Sequence, residues 1–375
     1  MNSILIIFVI ISVLILLPGL QFAPKKNDYF DNPFPLKVTK GMQGYLAFLV
    51  LFHQLSFQIN KMPLYKGRLD CFAEIGVLIV GFYFFFSGYG LIVSVNTKKE
   101  YLKTFLIRRV FTVLVPFFLC NYAYMVTTLL CGNQYSTKQL ILAFFGVILL
   151  NDHMWFAVEI MLLYVVFFLL FSYVPSKKLR FLFMGLFVAI LIIVSFLLGH
   201  NMNSGIQMNW LQGEWWYNTT LLFYLGMLFA ETKERILPFL KKHYIPLVLV
   251  FTGLFLFFWK LTGYMLQNHG YWTETEDSMG YSDKLMTLGV QLPAVICFEI
   301  LLLLLFMKVH FQNRTLEFLG KISLEVILIE KVFMLLLEDI CIHGDYRLYI
   351  VLTVFLTILS ATLINRIKLI VLEKK

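Results

Sequence analysis

The stretch "EIGVLIVGFYFFFSGYGLIVSVNTKKEYLKTFLIRR", residues 74–109, decides the fold. Its first part belongs to an apolar run, from about residue 72 to 95, long enough to cross roughly 30 Å of hydrocarbon as a helix. Its second part sets Lys98, Lys99, Lys103, Arg108 and Arg109 against one acid, Glu100, the pattern of a loop retained on the cytoplasmic side of a membrane. Apolar run and basic loop then recur along the chain. The runs are rich in Phe, Leu, Ile and Val and lack the alternation of a membrane β-barrel, so helices are the spanning structure.

Composition agrees. Of 375 residues 60% are hydrophobic and 14% charged, against about 25% charged in a soluble domain, and mean hydropathy is +0.80. The expected fold class is all-α, a polytopic transmembrane helical bundle surrounded by membrane lipids. The formal charge of +9 lies in short clusters between apolar runs rather than along one stripe, which reads as topology and not as a nucleic-acid partner. Cys71, Cys120, Cys131, Cys297 and Cys341 occur singly with no CxxC pair, so no metal site is predicted. A disulfide between outward-facing ends stays open.

Threading follows from the basic clusters. The first run, "SILIIFVIISVLILLPGLQ" (3–21), lacks a basic start and a small-residue cleavage site, so it reads as an extra span rather than a signal peptide. "PSKKLR" (175–180), "ETKERILPFLKKH" (231–243), "KVHFQNRTLEFLGK" (308–321) and the terminal "EKK" are basic and read as cytoplasmic; 200–216 and 263–284 read as outward. These assignments agree only if "QLILAFFGVILLND" (139–152) is a re-entrant or outer half-helix. The result is about ten core spans plus one N-terminal span in a cell membrane, with the C-terminus cytoplasmic. Residues 1–37 form the extra span and a basic loop, and 38–375 one transmembrane domain.

Several ionisable residues then fall inside or at the ends of spans: His53, Glu74, His153, Glu159, Glu299, Glu325, Glu330 and Lys331. Each costs on the order of 3 kcal/mol near the bilayer centre, so each is a functional candidate.

Several segments resemble the acyltransferase-3 family. "KGMQGYLAFLVLFHQ" (40–54) is similar to its first core helix, with a basic residue near the start and a histidine near the end. "EIGVLIVGFYFFFSGYGL" followed by "YLKTFLIRRVFTVLVPFFL" resembles its second helix, basic loop and third-helix entry; "HMWFAVEIMLLYVV" its His-x-Trp-Phe segment; and "EFLGKISLEVILIE" its penultimate helix. The resemblance covers roughly residues 38 to 370. Departures accompany it: Met42 and Gln43 stand where the family carries an arginine, Thr112 where a second loop arginine is expected, and Glu330 where a histidine often ends the penultimate helix.

The resemblance implies an O-acyltransferase moving an acyl group, expected to be acetyl, from cytoplasmic acyl-CoA (acetyl-CoA) to a hydroxyl of a surface polysaccharide or lipid-linked sugar. His53 is then the catalytic base; its other reading is an interhelical hydrogen bond. Arg109, Arg108 and Lys40 become contacts to the CoA phosphates; membrane anchoring explains all three as well. Lys40 lies about 20 Å from His53 along a helix and is no direct partner. Glu159, His153, Trp155 and Trp215 are candidates for binding the sugar, with "NWLQGEWWYN" (209–218) the place to look; an aromatic belt is the other reading of the tryptophans. Ser87 in "SGY" reads as a nucleophile or as one of a small pair that lets helices approach. A transporter or flippase of a lipid-linked sugar is the rival class, disfavoured by the absence of visible internal repeats.

Overall fold

Backbone amides have no water to bond within a bilayer, so long apolar runs satisfy them internally as helices. The computed structural model describes residues 3–24, 29–200, 210–274 and 278–373, and is 81% helical. Lys25, Lys26, Asn209 and the last two lysines, which entered the sequence reading, lie outside the described residues.

In chain order the helices are α1 (Ser3–Leu16), α2 (Leu36–Asn60), α3 (Gly76–Thr97), α4 (Thr112–Leu130), α5 (Thr137–Phe144), α6 (Trp155–Tyr173), α7 (Lys177–Leu198), α8 (Trp215–Asn218), α9 (Leu221–Lys242), α10 (Tyr244–Asn268), α11 (Tyr281–Lys308), α12 (Arg314–Leu336), α13 (Glu338–His343) and α14 (Tyr346–Glu373). Strands β1 (Leu20–Phe22) and β2 (Val309–Phe311) pair antiparallel, Gln21 opposite His310. This small ribbon is the one departure from an all-α chain among the described residues.

Eleven segments are expected to cross, and seven helical segments are long and apolar enough to do so, from Asp70–Thr97 to Tyr346–Leu372. The other four divide by cause. Helices α2, α9 and α12 have ample length, 25, 22 and 23 residues, but carry polar and charged side chains. The first run is a shorter apolar helix, Ile4–Gly19. The stretch 139–152, expected not to cross and so outside the eleven, contributes only the eight-residue α5, about 12 Å long. Ala143 of α5 accepts from Asn121 Nδ2 at 2.8 Å, which seats this half-helix beside the middle of α4 rather than across the membrane.

The tightest crossings are made by glycine. A Cβ on Gly44 would lie 2.2 Å from the Gly320 amide nitrogen, and one on Gly320 2.4 Å from the Lys40 carbonyl, so α2 and α12 touch backbone to backbone. Likewise a Cβ on Gly88 would meet the Phe223 carbonyl at 2.0 Å, and one on Gly226 the Phe85 carbonyl at 2.0 Å, joining α3 to α9. Small residues at such crossings are how helices gain contact where lipid removes the hydrophobic drive to associate. Gly88 of the Ser-Gly pair therefore serves packing.

Helix α1 lies antiparallel to α2: the Phe8 ring packs on Phe48, Phe52 and Phe72, with centroids 5.9, 4.8 and 4.8 Å away. Its far end is tied to the start of α12 by Asn313 Nδ2 donating to the Ile15 carbonyl at 2.7 Å. The loop that follows is anchored by His310, whose ring stacks on Phe30 at 3.6 Å and whose Nε2 donates to the Pro33 carbonyl at 3.0 Å. All five cysteines are free, three of them buried. The loops with Lys98, Lys99, Lys103, Lys177, Lys178, Lys241 and Lys242 gather at one end of the bundle, called the basic end below.

Candidate active site

His53 sits on α2, seven residues before its end away from the basic end. Its Nδ1 lies 2.9 Å from the Phe72 carbonyl. A carbonyl only accepts, so Nδ1 carries the proton and Nε2 keeps its lone pair. One ring face is covered by the entry to α3, where a Cβ on Gly76 would sit 2.3 Å from Nε2. Phe57 meets the ring edge-on at 4.8 Å.

His153 belongs to the short turn Asp152–Met154 that leads into α6. Its Nδ1 is 3.3 Å from Glu330 Oε1, and Glu330, on α12, is wholly enclosed. Neither Glu330 oxygen has a hydrogen-bond partner among the described residues. The next residues on the same two elements, Asp152 and Lys331, form an ion pair at the surface of the cluster. Helix α12 packs on both α2 and the Asp152–Met154 turn, so the two histidines lie toward the same end of the bundle. Glu330, the site of a departure in the sequence, thus becomes the carboxyl beside the second histidine. The sequence marked it as polar within a span but assigned it no partner.

The other expected acceptor contacts separate into two kinds. Glu159 is fully buried, accepts from the Thr220 hydroxyl, and forms no bond with either histidine among the described residues. Trp155 and Trp215 do meet, stacked at 5.6 Å with planes 25° apart. The Trp215 indole nitrogen is buried with no partner among the described residues. The wall continues through His200, edge-on to Trp215 at 6.3 Å, to Trp272, which lies 3.6 Å from His200 and is 62% exposed. His200 is held by Glu214 at its imidazole and by Glu274, whose oxygens accept from its amide at 2.8 and 3.0 Å. Buried Lys284 closes the network on Glu274. Nearby, Tyr271 donates to Gln291 at 2.7 Å; burial holds its phenol well above its ordinary pKa, so it remains a neutral donor. His200, Trp272 and these acids were missed because the acidic loops read only as topology.

At the basic end, Arg109 occupies a π-helical turn, Leu106–Phe111, that precedes α4. Such turns are rare and recur at functional sites. Its Nε donates to the Tyr101 hydroxyl at 2.8 Å, and Tyr164 lies within electrostatic reach of the guanidinium. Lys40 feels the charges of Arg109, Lys368 and Glu325. Two of the three expected donor contacts, Arg109 and Lys40, therefore lie within electrostatic reach of each other, while Arg108 is exposed.

The family model for an acyltransferase domain, that of the acyltransferase-3 family, matches residues 39–366. The chain belongs to the acyltransferase-3 family. It is a multi-pass membrane acyltransferase. No curated protein and no solved structure matches the chain. The acyltransferase-3 match begins at the residue before Lys40 and takes in both histidines, the aromatic wall and the basic-end cluster.

Proposed function

We propose that this acyltransferase moves an acyl group, acetyl by preference, from cytoplasmic acyl-CoA to a hydroxyl of a cell-surface carbohydrate, either a polysaccharide or a lipid-linked sugar. The observation that carries this reading is the His53 geometry: the Phe72 carbonyl holds the proton on Nδ1 and leaves Nε2 as acceptor. The acceptor hydroxyl oxygen attacks the thioester carbonyl as its proton passes to Nε2; the C–S bond then breaks, and the proton leaves with the thiolate as CoA–SH. His153, beside Glu330, is placed to orient the acceptor. The stacked Trp155 and Trp215, with Trp272 beyond, offer apolar faces to sugar rings. Arg109 and Lys40 serve the CoA phosphates, for which a guanidinium fork is well shaped; Arg108 is an outlying contact at most.

The basic end faces the cytoplasm in this reading, as does the C-terminus. The acyl-pantetheine arm then reaches through the bundle from Arg109 toward His53, a span of the same order as the 20 Å between Lys40 and His53.

The experiment is transfer of label from acetyl-CoA, or longer acyl-CoAs, into base-labile groups of cell-envelope carbohydrate by membranes containing the protein. His53→Ala should abolish the label while the protein inserts and melts normally. Label independent of His53 would remove it as the base, and label absent from the wild type with every acyl-CoA would remove acyl-CoA as the donor.

A further inference from the structure

The inner part of the bundle holds an ion pair that the proposed reaction does not use. Lys368 of α14 donates to Glu325 of α12 at 2.5 Å. Glu325 is completely enclosed, Lys368 is 7% exposed, and the second Glu325 oxygen has no partner among the described residues. Helix α2 joins them, because the Lys40 carbonyl rests on Gly320, five residues before Glu325 and so about 7.5 Å along the helix. Helix α4, entered from Arg109, packs on both α12 and α14.

The electrostatics of Lys40 include Arg109, Lys368 and Glu325 together. Arg109 and the Lys368–Glu325 pair thus lie within electrostatic reach of Lys40, three cations to one carboxylate, in a medium where an uncompensated charge is costly. Lys40 is exposed and Arg109 half-buried, so the group is open from the basic end, whereas Glu325 is sealed beneath it. An excess of positive charge that opens to one side and is closed by an incompletely bonded acid on the other is suited to take an anion.

We propose that Lys368 is a further phosphate-binding residue and that Glu325 is its resident counter-ion, which a phosphate group of the donor displaces. This rests on the acyl-CoA reading above for the identity of the donor, though not for the presence of an anion site. In the empty protein Glu325 holds Lys368 in place. When phosphate arrives, Lys368 turns to it beside Lys40 and Arg109, and Glu325 competes for the same ammonium. The two partners of one ion pair therefore act on donor binding with opposite sign.

The test uses the full chain in nanodiscs of neutral lipid, titrated with CoA and, separately, with pyrophosphate. Lys368→Gln should weaken both by about tenfold or more, the worth of a charged hydrogen bond. Glu325→Gln should tighten both; no change, or a loss, would remove Glu325 as the counter-ion that phosphate displaces. The double variant Lys368→Gln/Glu325→Gln, which buries no lone charge, should melt near the wild type yet bind weakly, and so separates binding from folding. If both single variants weaken binding alike, or the double variant binds normally, the pair is structural and the proposal falls. If wild-type protein binds pyrophosphate through Lys368 but not CoA, the anion site stands and the acyl-CoA reading fails. If neither binds, or anionic lipid added to the disc displaces CoA through Lys368, the assignment to a soluble donor is overturned.

Discussion

Gly76 and His53 occupy each other's space: a single methyl group on residue 76 would stand 2.3 Å from His53 Nε2 and 2.7 Å from both adjacent ring carbons. The absence of a side chain at the start of α3 is what lets the imidazole lie against that helix while Nδ1 reaches the Phe72 carbonyl. Gly76→Ala should therefore push the ring from its place. Acyl transfer is expected to fall about 100-fold or more, approaching His53→Ala, because a base must stand within hydrogen-bond reach of the proton it takes. Overpacking of this kind costs about 1–3 kcal/mol, so the melting temperature should drop only modestly. Near-normal transfer by Gly76→Ala would count against His53 as base.

Glu330 offers His153 a carboxyl from a position with no exposure at all. Glu330→Gln keeps the shape and replaces the carboxyl with an amide. If His153 orients the acceptor, transfer should fall roughly 10- to 100-fold, the range that misplacement of a reacting group produces. The KM for acyl-CoA should not move. Steady-state kinetics with each substrate varied in turn would show it; a donor KM that rises with no change in kcat would remove His153 from the acceptor side.

The two loop arginines should separate cleanly. Arg109 is held by the Tyr101 hydroxyl, whereas Arg108 is exposed. Arg109→Lys loses the planar fork and should raise the donor KM about tenfold. Arg108→Ala should stay within about twofold, as solvated charges contribute little. Equal effects at both positions would favour general anchoring over phosphate contact.

Stability should be most sensitive where backbones touch. Gly44→Ala places a Cβ 2.2 Å from the Gly320 amide nitrogen, and backbone on both sides cannot yield as a side chain can. A loss of about 1–3 kcal/mol is expected, read as a lower melting temperature in detergent. Gly90→Ala, where a Cβ meets nothing within 4 Å, is the matched control and should be silent.

Much of this molecule is legible before folding is considered. Apolar runs separated by basic loops specify a membrane helical bundle because lipid leaves the backbone no alternative. The shortness of 139–152 already argued against a crossing, and α5 is eight residues long. His53 stood out because an ionisable group in a span is costly, whereas Arg109 and Lys40 stood out through the basic segments that resemble the family's.

The pairings were a different matter. His153 with Glu330, Lys368 with Glu325, and His200 between Glu214 and Glu274 join helices and loops far apart in the chain, and nothing in local periodicity connects them. Hydropathy registers a buried charge only as a local cost; its compensation comes from whichever helix packs opposite. For His153, Lys368 and His200 that helix or loop was chosen by tertiary packing. The sequence determined the helices and which residues had to find partners in them. Only the tertiary packing, which sets α12 against α14 and against the turn that leads into α6, decided what those partners are.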